Sequence, residues 1–247
     1  MATRVRLDQL LLARGLAESR ARAQALLLAG VVFSGERRLD KPGTLVADDL
    51  PLEVRDRSLP WVSRGGLKLA KGLEAFGIDP AGLVAIDVGA STGGFTDVLL
   101  HGGAARVHAV DVGYGQLAEK LRHDPRVAVH ERVNARSLGP AEVPVPVDLV
   151  VCDASFISLR LVLPAALALT KPAARLVALI KPQFEVGKGE VGKGGVVRDP
   201  AAHDRVCREI AEWLGSLPGW SVDGIVESPI TGPAGNREFL IGASRRP

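Results

Sequence analysis

The sequence predicts an α/β protein built on a mostly parallel sheet, preceded by a small α+β module, and three observations carry that prediction. Apolar runs of strand length, bounded by Gly, Asp or Pro, recur at 83–88, 106–112, 127–130, 148–152 and 176–181, with helix-length segments between them. The first 55 residues follow a different pattern of two short helical repeats and a hairpin. At 247 residues, 47% hydrophobic and 24% charged, the chain suits one or two globular domains and not a disordered tail.

In the N-terminal module Leu7, Leu10 and Leu11 fall at i, i+3 and i+4, and a second such pattern runs through Ala21, Ala25, Leu28 and Ala29. Gly15 ends the first helix, Ser19 is placed to cap the second and Gly30 closes it. Val31-Val32-Phe33 and a Ser34-Gly35 turn then form a hairpin. A module of this length supports only a modest core and leans on its neighbour. Residues 1–42 hold eight basic and four acidic side chains, a balance of +4 in a chain whose net charge is +3. A polyanion is therefore drawn mainly to this module, although a solvated basic face explains the charge equally well. Residues 51–62 read as a closing strand and a Pro-bounded linker. Two late strand candidates, 224–227 and 237–241, have no helix between them and form a hairpin at the end of the sheet.

Composition also excludes. Two cysteines, Cys152 and Cys207, cannot build a disulfide framework, which sets a reducing, cytoplasmic expectation. The longest stretch without charge, 23–35, falls short of the roughly 18–20 apolar residues of a membrane span. No export signal is legible at the N-terminus. The five histidines show no metal-ligand spacing with the cysteines, so no metal is expected.

The strand at 84–88 runs into Gly89-Ala90-Ser91-Thr92-Gly93-Gly94-Phe95, whose glycines let backbone N–H groups approach a ligand at the strand's carboxyl end. Its spacing is not the G-x-G-x-x-G of dehydrogenases. Asp111, 24 residues beyond Asp87, ends the second strand, where a carboxylate can accept from both ribose hydroxyls. Two such carboxylates suit a ligand with a ribose and a positive charge, such as S-adenosylmethionine, and would repel a pyrophosphate. The alternative is that Asp87 and Asp111 are ordinary strand-end residues. Asn134, after the third strand, is placed to reach the adenine region. Four further ionisable residues stand where this fold exposes them. Lys68 lies on a helix whose Arg64, Lys68 and Lys71 are spaced to share one face. Asp153 ends the fourth strand, Lys181 ends the fifth and Glu238 opens the last.

Ser63-Arg64-Gly65-Gly66-x-Lys68, the Asp87–Phe95 segment, Asp153-Ala-Ser-Phe-Ile-Ser, Lys181-Pro-Gln-Phe-Glu and Gly235-Asn-x-Glu238 together resemble the FtsJ-like ribose 2′-O-methyltransferases. The early pattern, Arg6-Leu7-Asp8 through Gly30-Val31-Val32, resembles the alpha-L RNA-binding motif of the ribosomal-protein-S-four type. The whole is similar to the TlyA family of rRNA cytidine-2′-O-methyltransferases, long called hemolysins. The resemblance implies a class I (Rossmann-like) S-adenosylmethionine-dependent methyltransferase domain at 64–247, a linker at 59–63 and an RNA-binding domain at 1–58. It places the family's Lys-Asp-Lys-Glu tetrad on Lys68, Asp153, Lys181 and Glu238, and the cofactor on Asp87, Gly89, Ala90, Ser91, Gly93, Gly94, Phe95, Asp111 and Asn134. RNA contacts are expected from Arg4, Arg6, Arg14, Arg20, Arg22, Arg64, Lys188 and Lys193, the last two in a Gly-rich loop that follows Lys181. Ribosomal RNA in assembled subunits is the expected partner, with no obligate protein partner.

The chemistry is consistent with that set. A ribose hydroxyl is a poor nucleophile, so a base must take its proton as the methyl group arrives. Lys181 is the candidate base, Lys68 the neighbouring cation, and Asp153 and Glu238 orient the lysines. The prolines of amine methyltransferases are missing after Asp153. Cys152 has no nucleophile motif and is read as a buried structural thiol. Leu59-Pro60-Trp61-Val62 departs from the Arg-x-Trp-Val linker of some members, and Trp61 is expected to pack between domains, with stacking on a base as the alternative. The nine residues after Glu238 match shorter members, which implies large-subunit rRNA, with the small subunit left open. The rival readings are a membrane-active hemolysin and an RNA-binding protein without activity.

Overall fold

The computed structural model describes residues 4–54 and 60–246, apart from the side chains of Lys188 and Pro233. Arg57 and Leu59, and with Leu59 the start of the expected linker, lie outside the described residues.

The N-terminal module runs β1 (Arg4–Arg6), α1 (Leu7–Ala13), α2 (Arg20–Ala29), β2 (Val32–Ser34), β3 (Arg37–Arg38), β4 (Leu45–Ala47) and β5 (Glu53–Val54). The Ser19 hydroxyl accepts from the Arg22 N–H at 3.1 Å, and Gly30 ends α2 in the left-handed conformation, so both predicted caps form. Leu7, Leu11, Ala23, Leu27, Val32 and Leu39 make its small core. The hairpin pairs Phe33 with Arg38, and β5 joins β2 on the other side. The antiparallel β1–β4 pair is an addition that the sequence does not announce, because three residues are too few to show an alternation.

The second unit runs α3 (Gly65–Ala75), β6 (Val84–Val88), α4 (Gly94–His101), β7 (Arg106–Asp111), α5 (Glu119–Arg122), β8 (Val127–Glu131), β9 (Val147–Cys152), α6 (Leu159–Ala168), β10 (Thr170–Ile180), α7 (Pro182–Glu185), α8 (Pro200–Gly215), β11 (Trp220–Glu227) and β12 (Phe239–Arg245). Its seven strands lie in the order β11-β12-β10-β9-β6-β7-β8. Pairing is parallel from β10 to β8, while β12 runs antiparallel to both β10 and β11, which is the expected terminal hairpin. Both faces of the sheet are covered. Along β9, Leu149 and Val151 enter a cluster with Leu69, Leu99 and Leu179, whereas Val150 and Cys152 enter one with Ile86, Leu163 and Ile210. Burial on both sides is why these strands read as continuous apolar runs. Cys152 is fully buried, and burial pushes its thiol up to about 12. Strand order reverses between β6 and β9, and the carboxyl edge at such a point is where open α/β sheets bind ligands.

Candidate active site

Backbone register assembles the four expected ionisable residues. Because β9 and β10 are parallel neighbours ending at Cys152 and Ile180, the next residues, Asp153 and Lys181, emerge side by side. The antiparallel β12 opens at Phe239, paired with Ile180, so Glu238 arrives at the same edge from the opposite direction. Helix α3 then supplies Lys68. Its Nζ lies 2.7 Å from Glu238 Oε2 and 3.3 Å from Asp153 Oδ2, and Lys181 Nζ lies 2.5 Å from Asp153 Oδ1. Lys68, Lys181 and Glu238 are 8%, 6% and 1% exposed, so the contacts form largely out of water. Burial works against the Lys68 charge, but Asp153 and Glu238 outweigh it and raise its pKa. Asp153 is likewise pushed up by burial, and Lys181 and Lys68 more than reverse this, holding it below the usual carboxylate range. Lys68 stays a cation, and Asp153 is the anion bridging both lysines.

Two features of this edge were not legible beforehand. Gly232 sits against Glu238, and a Cβ there would fall 2.1 Å from Oε1, so only glycine leaves the carboxylate its place. The expected shared face of Arg64, Lys68 and Lys71 does not form. Lys71 is exposed and pairs with Glu74 at 3.2 Å, whereas Lys68 is buried against the sheet edge, and Arg64 stands before the helix as its N-cap residue.

The glycine-rich loop follows β6 as expected. Gly89 has φ +82°, and a Cβ would press on the Ala154 Cα at 3.0 Å and the Asp153 carbonyl at 3.1 Å, which fixes the close approach of the two loops. Gly93, at φ +93°, starts α4. Asp87 differs from its expected placement. It is fully buried, and its Oδ2 accepts from Thr96 N–H at 2.9 Å and Thr96 Oγ1 at 2.7 Å, so it clamps the start of α4 from beneath the loop. Its Oδ1 has no hydrogen-bond partner among the described residues, and burial lifts the carboxyl pKa to about 7. Asp111 accepts from Ser91 N–H at 2.8 Å and Gly113 N–H at 2.7 Å, and borders a cleft of about 520 Å³. Asn134 borders the same cleft, with its Oδ1 accepting from the Arg136 N–H at 3.0 Å. Ala90, Gly94 and Phe95 face instead a smaller cavity of about 180 Å³ that contains Lys68, Asp153 and Lys181. The two spaces share Gly89, Ser91, Asp153 and Ser155. A cleft with a diol acceptor, opening onto a chamber that holds two lysines, fits a nucleoside-bearing donor beside its acceptor.

Leu28 of α2, 46% exposed, borders both spaces, and Asp40 borders the smaller one, so the N-terminal module forms part of the mouth. Phe156 is a further residue that sequence reasoning passed over. It is 90% exposed at φ +66°, beside the larger cleft, with its ring 5.1 Å from that of Phe184. Its motif was visible, but its strained backbone and exposure were not.

The expected RNA contacts divide. Arg4, Arg22 and Lys193 are exposed. Arg6 and Arg20 lie 2.9 and 3.1 Å from the fully buried Asp8, which also accepts from Gln24 at 3.0 Å. The hydrogen bonds from Arg6 above all hold Asp8 well below the usual carboxylate range. Arg14 is a correction: its guanidinium donates to the Leu50 carbonyl at 2.6 Å and to the Asp48 carbonyl, closing the module's own loop. Arg64 lies at the seam between modules, where a Cβ on Gly30 would come 2.6 Å from its Nε. The side chain of Lys188 lies outside the described residues. Trp61 packs on Gly66 and the Leu69–Leu99 cluster, within the larger unit. Among the described residues no His, Cys, Asp and Glu group is arranged for a metal ion, and no helix is long and apolar enough to cross a membrane.

The strand order, the glycine loop after the sheet's first strand and the acid at the end of its second define a class I methyltransferase fold. The chain belongs to the FtsJ-like methyltransferase family, whose model matches residues 61–245, and an S4 domain matches residues 5–49. It is 52% identical to the 16S/23S rRNA (cytidine-2′-O)-methyltransferase TlyA of Mycobacterium tuberculosis, over 98% of this chain and 90% of that one. It is 49% identical to the rRNA methyltransferase-named YqxC of Bacillus subtilis, over 96% of this chain and 84% of that one. Among solved structures, a hemolysin-named protein from Streptococcus thermophilus superposes with a TM-score of 0.76 at 40% identity, covering 100% of this chain and 90% of that one.

Proposed function

We propose that this protein transfers a methyl group from S-adenosylmethionine to the 2′-hydroxyl of cytidine in ribosomal RNA, in the cytoplasm, with residues 1–58 docking the RNA and 64–247 carrying the chemistry. The observation that carries this reading is the buried Lys68–Asp153–Lys181–Glu238 network at the point where the two spaces meet. When bound, S-adenosylmethionine supplies an electrophilic methyl group on a positively charged sulfur. Asp111 and Asn134 hold its nucleoside end, and the 89–95 backbone approaches its amino-acid portion.

Lys181 takes the hydroxyl proton. Lys68 and Glu238 fix Asp153, and Asp153 fixes Lys181, so the base is held at one position beside the acceptor chamber. Phe156 offers an exposed aromatic face at the mouth, which suits the unstacked base of a nucleotide turned out of its helix. Arg4, Arg22, Arg64 and Lys193 supply phosphate contacts, as do Arg6 and Arg20 where their donors reach beyond Asp8. The relative at 52% identity is named for rRNA of both subunits, so both subunits are proposed as substrates, wider than the large-subunit expectation. Among the described residues no helix is long and apolar enough to cross a membrane.

The test is transfer of labelled methyl to purified, unmethylated 50S and 30S subunits, with Lys181→Ala alongside and the product mapped by resistance to alkaline cleavage. The proposal predicts label at a ribose 2′-oxygen, lost in the variant. Label on a base, or none on either subunit, overturns it.

A further inference from the structure

Lys181 is surrounded in a way that constrains how a proton reaches it. Its Nζ donates to the Asp153 carbonyl at 3.3 Å and to Ser155 Oγ at 2.9 Å, and pairs as an ion with Asp153 Oδ1 at 2.5 Å. A neutral amine gains one lone pair. Both Asp153 oxygens can only accept, so of these three neighbours the one able to donate to that lone pair is the Ser155 hydroxyl. Lys181 is 6% exposed, whereas Ser155 is exposed and borders both the donor cleft and the acceptor chamber. No structural hydrogen bond in the described residues takes the Ser155 hydroxyl proton; its one recorded contact is the one it accepts from Lys181.

Resting on the methyl-transfer reading above, we propose that Ser155 is a catalytic residue that relays the proton from the acceptor ribose hydroxyl to Lys181. The 2′-O–H bond breaks and its proton bonds to Ser155 Oγ, while the proton already on Ser155 passes to the Lys181 lone pair. The ribose oxygen keeps the electron pair of the broken bond and uses it to bond the methyl carbon, and the pair of the carbon–sulfur bond stays on sulfur. Ser155 ends unchanged, Lys181 ends as the ammonium with its contacts to Asp153 and Ser155 restored, and no other reactant is needed. The hydroxyl turns from acceptor to donor by rotation about one bond.

The experiment compares wild type, Ser155→Ala and Ser155→Thr. In cofactor-free protein, exchange of the Lys181 ζ protons with water is read by lysine-selective nitrogen NMR. Loss of the hydroxyl opens Nζ to water, so exchange is faster in the alanine variant and returns to the wild-type rate with threonine. In single turnover on ribosomal subunits, Ser155→Ala lowers kcat by about 100-fold or more, with cofactor Kd and KM for RNA unchanged, and Ser155→Thr restores most of the rate. The rate in mixed light and heavy water follows a curved dependence in wild type, as expected for two protons moving together, and a straight one in the alanine variant. A Ser155→Ala enzyme within about threefold of wild-type kcat overturns the relay, as does one that loses cofactor binding to the same extent as activity, or identical Lys181 exchange in all three proteins. A wild-type protein that methylates neither subunit overturns the parent reading and the relay with it, whereas an active wild type with an equally active alanine variant overturns the relay alone.

Discussion

Replacing Asp153 by Asn removes the one anion that touches both buried lysines. Lys68 keeps Glu238 at 2.7 Å, but Lys181 loses the one carboxylate paired with it among the described residues, at 2.5 Å, and the two ammoniums then face a neutral amide. Removing one partner of a buried ion pair costs about 3–5 kcal/mol. The Asp153 side chain is 19% exposed, so the lower end applies, and about 3 kcal/mol corresponds to a fall in Tm of roughly 6–12 °C for a chain of this size. The pH dependence has a definite sign. The folded-state pKa of Asp153 is lowered, so its contribution is present above the unfolded value of about 3.9 and is lost as pH falls through the folded value. The gap between wild type and Asp153→Asn is therefore widest near neutral pH and narrows in acid. Urea unfolding at pH 7.5 and at pH 3.5 measures it, and the double variant Asp153→Asn/Lys181→Met recovers part of the loss because no cation is left unpaired. A gap below 1 kcal/mol at pH 7.5, or a double variant less stable than Asp153→Asn, would refute the account of Asp153 as the bridging anion.

Three further perturbations probe other parts of the molecule. Gly232→Ala places a methyl group 2.1 Å from Glu238 Oε1 at an ordinary backbone φ of −69°, so Glu238 shifts off Lys68; kcat falls at least tenfold while cofactor affinity, read by calorimetry, stays within about twofold. Asp8→Asn removes the charge that orders Arg6 and Arg20, lowering N-terminal module stability by about 1–2 kcal/mol after allowance for the exposed arginine ends and weakening RNA binding in a filter assay. Because the Asp8 pKa is depressed on folding, that stability difference is present above about pH 3.9 and disappears in acid. Asp87, lifted to about 7, has the opposite sign: its stabilisation is complete below the unfolded pKa of about 3.9 and is lost as pH rises through 7, a change of up to about 4 kcal/mol. Thermal melts of cofactor-free wild type show that decline between pH 5 and 8, Asp87→Asn flattens it, and parallel curves would count against the assignment.

How much was legible in the sequence varied with the range of the interaction concerned. Ser19 and Gly30 were readable as helix ends because capping is decided within a few residues. The central parallel strands were readable because burial on both faces leaves an apolar run, as in Leu149–Cys152. Asp153 and Lys181 were readable as edge residues since each directly follows such a run. What side chains do once neighbouring elements meet was not readable. Asp87 and Asp111 look alike in sequence, yet one is sealed under α4 by Thr96 and the other borders the cleft. Helical spacing put Lys71 with Lys68, whereas packing of α3 on the sheet buried one and left the other on Glu74. Arg14 reads as one more cation, and only the fold brings the Asp48 and Leu50 carbonyls within its reach. Gly232 carries no signal of its own and Ser155 only that of its motif, since each matters through the geometry of a charged neighbour.

The central claim is that the buried Lys68–Asp153–Lys181–Glu238 network activates a ribose hydroxyl, and its most direct test is nucleoside mass spectrometry of rRNA from 50S and 30S subunits incubated with S-adenosylmethionine and either wild type or Lys181→Ala. The account predicts 2′-O-methylcytidine with wild type and none with the variant. A base-methylated nucleoside, or 2′-O-methylcytidine at equal yield with both proteins, would contradict it.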